Sequence, residues 1–567
     1  MIKFSEMPYK RPDVDNLVKK GREVIASLAA ASSPEEAETY FYQMEDMNRE
    51  LDTMYSLAYV RHTIDTTDEF YDKEMEYLDQ TLPLCQEVGT ELGKAMLASP
   101  FRAQLEKKFG PVLFKNLELQ QKSFSPAIIP DLQEENRLVT EYGKLIASAQ
   151  IPFEGGVHTL SQLTPFKSDR DDERRAAAWK AEGEFYQQNG EKLDSLYADL
   201  VTCRDRMAKK MGYPNYVTLG YYRMNRNSYT KEDVEKFRAA VRKYVVPLAD
   251  QVYQEQAKRL HVSYPLTFAN AALSFRSGNA KPQGTPEEIL EHGKKMYHEM
   301  SPLTKEFIDF LYEGELLDVL SKKGKAGGGY CTTFAAYKAP FIFANFNGTQ
   351  GDVEVITHEA GHAFAAYMAR DIEPADNQNP TMESCEIHSM SMEFFAWPWA
   401  TGFFGADTDK FYYGHLAGAL TFLPYGTMVD HFQHIMYEKP ELTADQRHQV
   451  WRELLGIYMP WMAIDGSAFY GEAKGWQRQM HIYERPFYYI DYCLAQAVAL
   501  QFWAKIQQDR TDAWERYISL VKKAGTETFD QLVATAGLSS PFGDEGLAEV
   551  AKEASKWLSA FDQDKLK

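Results

Sequence analysis

The sequence predicts a mainly α-helical chain, built as two helical lobes with a small β-sheet. Three observations predict it: capping signals stand at the heads of long amphipathic stretches, strand-like runs are confined to two places, and the chain changes character near position 200. At 567 residues and 64.9 kDa, the chain can bury a large core and form more than one domain.

Ser33-Pro34-Glu35-Glu36 is a capping box with proline at the first helical position, and predicts a helix running past Met54. The stretch 67–97, rich in Glu, Leu and Tyr, reads as another long helix. Strand signals appear at 151–166, around Pro152 and Gly155-Gly156. A boundary falls near 200, where the chain enters Arg204-Asp205-Arg206-Met207; it divides an N-terminal helical lobe (1–200) from the remainder (201–567). Thr285-Pro286-Glu287-Glu288 repeats the capping device. Gly327-Gly328-Gly329 permits backbone conformations barred to other residues, and suits a loop over a cleft. The second strand region is 329–346. Its run Pro340-Phe341-Ile342-Phe343-Ala344-Asn345-Phe346 ends in a turn signal, Asn347-Gly348-Thr349. The expectation is a strand with an open edge that pairs with extended peptide backbone.

A net charge of −20 argues against nucleic-acid binding, which wants a basic stripe, and against an anionic membrane surface. No stretch of about 18 apolar residues predicts a membrane span. Five scattered cysteines without a C-x-x-C pair read as reduced thiols, and Met1-Ile2-Lys3-Phe4-Ser5-Glu6 lacks an apolar signal region, so the expected location is cytoplasmic.

The most informative segment is His358-Glu359-Ala360-Gly361-His362. On a helix its two imidazoles lie one turn apart on one face, so both can reach a single metal ion. Glu359 points slightly off that face, where it misses the metal but can touch a water held there. This is the H-E-x-x-H arrangement of zinc peptidases. Flanks of helical apolar spacing without proline support the helix. A catalytic zinc needs a third protein ligand and one open position. The metzincin position, ten residues after the first histidine, is Met368, and the common thermolysin-like spacing falls near Met382. The available carboxylates are Glu383 and Glu386; with Glu393 they fall on one stripe of a predicted helix. Asp430-His431-Phe432-Gln433-His434 is a rival constellation, read as structural because no glutamate is placed as a base.

His358-Glu359-x-x-His362 with Glu386 and Ile387-x-Ser389 resembles the thimet oligopeptidase and oligoendopeptidase F family of zinc metallopeptidases. Within that family the chain resembles most the bacterial oligoendopeptidase F and Pz-peptidase branch. The resemblance runs from roughly 200 to 560 and is densest at 327–362, 383–395 and 481–496. It carries the third ligand to Glu386, with Glu383 as fallback. His388 departs from the proline common before that serine, and leaves a spare imidazole nearby. The resemblance further implies a late His and Tyr cluster facing the metal: His481, Tyr489 and Tyr492 first, then Tyr488 and Tyr483. A phenol keeps its proton at neutral pH and can donate to a developing oxyanion. It implies one Zn²⁺ per chain (cobalt or manganese also suit such a donor set) deep in a channel between the lobes, and a catalytic region at 201–567. Its partners are short peptides, with no nucleic acid and no membrane; oligomeric state and cleavage preference are left open.

The expected function is a metalloendopeptidase acting on oligopeptides. His358, His362 and Glu386 hold the metal, Glu359 is the general base, and His481 or a tyrosine stabilises the oxyanion. Glu354 or Glu393 orients a ligand imidazole. The alternative is a carboxypeptidase or dipeptidyl carboxypeptidase of related fold, with Arg485 as a possible anchor for the substrate C-terminus.

Overall fold

In the computed structural model, which describes residues 2–326, 328–346, 350–464 and 466–566, helices begin where the sequence carries its caps. The Ser33 hydroxyl accepts from the Glu36 N–H, Pro34 fills the first turn, and the helix runs Pro34–Ile64. Thr285 and Glu288 close a full capping box on Pro286–Met300. The stretch 67–97 forms Glu69–Ala98 behind an Asp68 cap. The fold is mainly α, with sheets of only two and three strands among the described residues.

The chain forms two compact units that interleave in sequence. The first comprises Met1–Gln121, Lys281–Gly405 and Lys505–Leu538; the second comprises Lys122–Ala280, Ala406–Ala504 and Ser539–Lys567.

In the first unit a three-stranded sheet lies beside the helix Gln350–Ala369, which carries the histidine motif. Ala339–Phe346 is the central strand. It runs parallel to Leu317–Leu320 and antiparallel to Tyr330–Phe334, with Leu317 opposite Ile342 and Tyr330 opposite Phe343. The central strand is buried along nearly its whole length, which fits its continuous apolar run. This corrects the expectation of an open edge on 340–346: that strand is paired on both sides, and the sheet's two edges are Leu317–Leu320 and Tyr330–Phe334. The turn Asn347-Gly348-Thr349 and Gly327 lie outside the described residues. Gly328 takes φ +88°, a conformation that favours glycine.

The motif helix packs against Met382–Phe395, which carries Glu386. Gly361 permits this contact. A Cβ there would stand 2.7 Å from Ser389 Cα and 2.9 Å from the His388 carbonyl oxygen. Both are backbone atoms and cannot rotate away, so only glycine lets the two helices approach this closely.

In the second unit, the strand signal at 151–166 resolves into a short hairpin, Ile151–Phe153 with Gly156–His158, and then a helix, Leu160–Lys167. The Thr159–Gln162 capping box starts that helix and overrides the strand expectation. Long buried helices follow, including Thr408–Glu438 and, as far as Ala504, the helix Tyr489–Gln508. The latter is anchored by a fully buried ion pair, Arg226 Nη2 to Asp491 Oδ1 at 3.0 Å. No helix among the described residues is long and apolar enough to cross a membrane.

Candidate active site

His358 and His362 face the same side of the motif helix, with ring centroids 5.0 Å apart. Both Nε2 atoms converge on one oxygen of the next helix: Glu386 Oε2 lies 3.4 Å from His358 and 3.5 Å from His362. Ligands about 2.0–2.1 Å from a tetrahedral zinc are separated by about 3.4 Å, so two imidazoles and a carboxylate at this spacing fit the ion. Among the described residues this is the one group of three or more His, Cys, Asp or Glu gathered at such spacing.

Neighbouring side chains orient these donors. His358 Nδ1 meets Glu393 Oε1 at 2.7 Å, leaving Nε2 directed at Glu386. The Ser389 hydroxyl donates to Glu386 Oε2 at 3.1 Å. Burial opposes charge on both partners. Burial alone would lower the His358 pKa, but the bonds to Glu386 and Glu393 override it and hold it well above the imidazole range. Burial alone would raise Glu386, but the two histidines keep it well below the usual carboxylate range. The Glu386 carboxylate is thus ionised where a cation would sit, and a cation that binds there replaces the imidazole proton as its partner.

Glu359 makes no hydrogen bond or ion pair among the described residues. Burial raises its pKa, against the pull of His358 and His362. An uncommitted carboxylate beside the donor group is free to exchange a proton.

The other candidates separate clearly. Glu383 is fully buried, accepts from the Thr381 hydroxyl at 2.7 Å, and lies outside the donor group. Glu354 is exposed and accepts from Gln350, so Glu393 alone takes the orienting position. His388 is buried and its pKa is pushed down to about 3, by burial and by the neighbouring His362, so it stays neutral. His431 and His434 bond to Tyr458 and Tyr221 instead of forming a metal group.

His481, Tyr489 and Tyr492 form a cluster within the second unit: the His481 ring lies 5.0 Å from Tyr489 and 6.0 Å from Tyr492. A hydrogen-bond chain fixes the imidazole tautomer. Tyr425 donates to Gln479 Oε1 at 2.7 Å, which turns the Gln479 amide nitrogen toward His481 Nδ1 at 2.9 Å. Nδ1 must accept, so Nε2 carries the proton and is a donor. Burial, aided by Arg485, lowers the His481 pKa, so the ring is a neutral donor near pH 7. Sequence reasoning missed Gln479 and Tyr425, because nothing local marks a residue that sets a tautomer.

A helical fold in which one helix supplies H-E-x-x-H and the next supplies a glutamate defines a class, the H-E-x-x-H peptidases. Residues 4–124 match the peptidase M3 N-terminal domain and residues 165–552 match peptidase family M3. The chain belongs to peptidase family M3. It is similar to a solved structure described as an oligoendopeptidase F (45% identity, TM-score 0.93, all of both chains covered). It is equally similar to Pz peptidase A solved with an inhibitor (45% identity, TM-score 0.93, 99% of this chain and 100% of that one). The oligoendopeptidase F homologue of Borreliella burgdorferi is 23% identical over 421 residues, covering 70% of this chain and 69% of that protein.

Proposed function

We propose that the chain is a zinc-dependent endopeptidase that cleaves internal bonds of short peptides. The observation that carries this reading is the convergence of His358, His362 and Glu386 beside the uncommitted Glu359, in a member of a peptidase family. His358, His362 and Glu386 hold the ion, which when bound supplies Lewis acidity, lowering the pKa of water and polarising the scissile carbonyl. Glu359 takes a proton from the attacking water on its carboxylate and returns it to the leaving amine. His481 Nε2–H and the phenols of Tyr489 and Tyr492 are the donors assigned to the oxyanion. An extended substrate pairs with the outer edge of Tyr330–Phe334, which among the described residues pairs only with Ala339–Phe346. Names carried by similar proteins, oligoendopeptidase F and Pz peptidase, support oligopeptides as the substrate class.

The test is Glu359→Gln assayed on a decapeptide, with zinc measured on the same sample. The reading expects retained zinc and a loss of turnover of about 10²–10⁴-fold. Unchanged turnover removes Glu359 from the mechanism.

A further inference from the structure

The first unit holds a polar cavity of about 500 Å³ that continues the donor stripe of the motif helix. Ala366 lines it one further step of four residues along the helix face of His358 and His362, and Arg370, the first residue past the helix end, lines it beyond. Cys331, Thr332 and Thr333 of the edge strand form another wall. Cys331 is near enough to Glu359 to feel its charge. The cavity therefore begins about 6–12 Å along the helix from His362. At about 3.3 Å per residue, an extended peptide reaches it two to four residues from the bond being cut.

Three cations and three carboxylates line this cavity, but among the described residues they form no ion pair with one another. Its cations are engaged elsewhere: Arg49 with Glu373, Lys338 with Asp371, and Arg370 stacked on the Tyr367 ring. Its carboxylates are not. Asp52 and Asp376 line the cavity without an ion pair among the described residues. Glu45 is only 5% exposed, and one of its oxygens accepts from the Ala375 N–H. Its other oxygen, Oε2, has no hydrogen-bond partner among the described residues. A buried polar atom without a partner costs folding free energy, and such atoms are rare unless something else meets them. A metal ion does not fit, because these three carboxylates do not gather at ligand spacing. A guanidinium or ammonium on a long stem does fit: it can enter a roomy cavity and spread several donors over separated carboxylates.

We propose that this cavity is a specificity subsite for a cationic side chain, lysine or arginine, of the peptide substrate, received by Glu45, Asp52 and Asp376. The assignment rests on the endopeptidase reading and adds a substrate preference to it. The preference applies two to four residues from the scissile bond, on the side where the peptide runs over Thr332 and Thr333.

The test is a positional scan. A quenched-fluorescent decapeptide with glutamine at every flanking position is compared with peptides carrying a single Arg, Lys or Glu at each position. The ratio of kcat/KM for Arg over Gln is read within each enzyme. Wild type is expected to favour Arg at one position two to four residues from the cut, roughly ten-fold or more over Gln. Glu45→Gln/Asp52→Asn/Asp376→Asn is expected to bring that ratio toward one. Asp376→Lys is expected to turn the preference at the same position toward Glu, an inversion that an unfolded variant cannot show. A flat wild-type scan, or a ratio that survives in the triple variant, overturns the subsite and leaves the endopeptidase reading standing. Failure of wild type to cut any peptide of the set overturns the endopeptidase reading, and the subsite with it.

Discussion

Glu45→Gln should make the protein more stable at alkaline pH, with little change at acid pH. Burial raises the Glu45 pKa from 4.5 to about 7; the Ala375 N–H and Arg49 oppose this, and Asp376 and Glu373 add to it. A carboxyl whose pKa is raised in the folded state favours its protonated form there. Its contribution is intact below the unfolded value of 4.5 and is lost as pH rises through about 7. The full shift corresponds to about 3 kcal/mol, of which about 2.5 kcal/mol falls between pH 5 and pH 8. Water in the cavity screens part of it, so about 1–2.5 kcal/mol is expected. Glutamine carries no charge and keeps an acceptor for the Ala375 N–H. The assay is thermal unfolding of wild type and variant from pH 5 to pH 8. The variant's Tm advantage should grow across that range by about 1–2 °C, given an unfolding entropy of about 1.2 kcal/mol/K for a chain of 567 residues. An advantage independent of pH, or a variant less stable at pH 8, would refute the claim that Glu45 ionises at a cost inside the fold. Carrying an ionised group at such a cost is expected where binding requires it.

Three further outcomes follow from the geometry. Glu393→Gln removes the charged partner of His358 Nδ1 and should weaken zinc binding about 10–100-fold, read by competition with a chelator. Gly361→Ala places a methyl against the backbone of Ser389 and His388; it should cost about 1–3 kcal/mol in stability and lower zinc affinity, and an unchanged Tm would show that the helices do not meet as described. Arg226→Met leaves Asp491 buried without its cation and should cost about 3–5 kcal/mol, whereas the double change with Asp491→Leu should recover most of the loss in thermal unfolding.

The parts of the fold legible in the sequence were those governed by local chemistry. The caps at Ser33 and Thr285 mark real helix starts, because the cap is made by residues three apart; at Thr285 the capping box is complete, whereas at Ser33 only the hydroxyl half forms and the Glu36 carboxylate accepts from the Ser32 N–H instead. The motif helix and the Glu386 helix follow from spacing alone. The orienting role of Glu393 was visible only as one of two options, since 35 residues separate it from His358. Strand pairing was less legible. Leu317–Leu320 is four residues long and gives no alternation to detect, yet by pairing with Ala339–Phe346 it buries the edge that the sequence left open. Returns of the chain to an earlier unit, as at Lys281 and Lys505, are set by long-range packing and carry no local mark. The Glu45 cavity was likewise invisible. Its walls come from stretches near positions 45–56, 331–338 and 366–379, and an unpaired buried oxygen is a property of the fold alone.

The central claim is that His358, His362 and Glu386 grip one divalent ion. Zinc stoichiometry by elemental analysis of three purified proteins tests it directly. Wild type and Glu383→Ala are expected to carry one zinc per chain, and Glu386→Ala to lose it. Full zinc in Glu386→Ala, or zinc stripped by Glu383→Ala, would contradict the account.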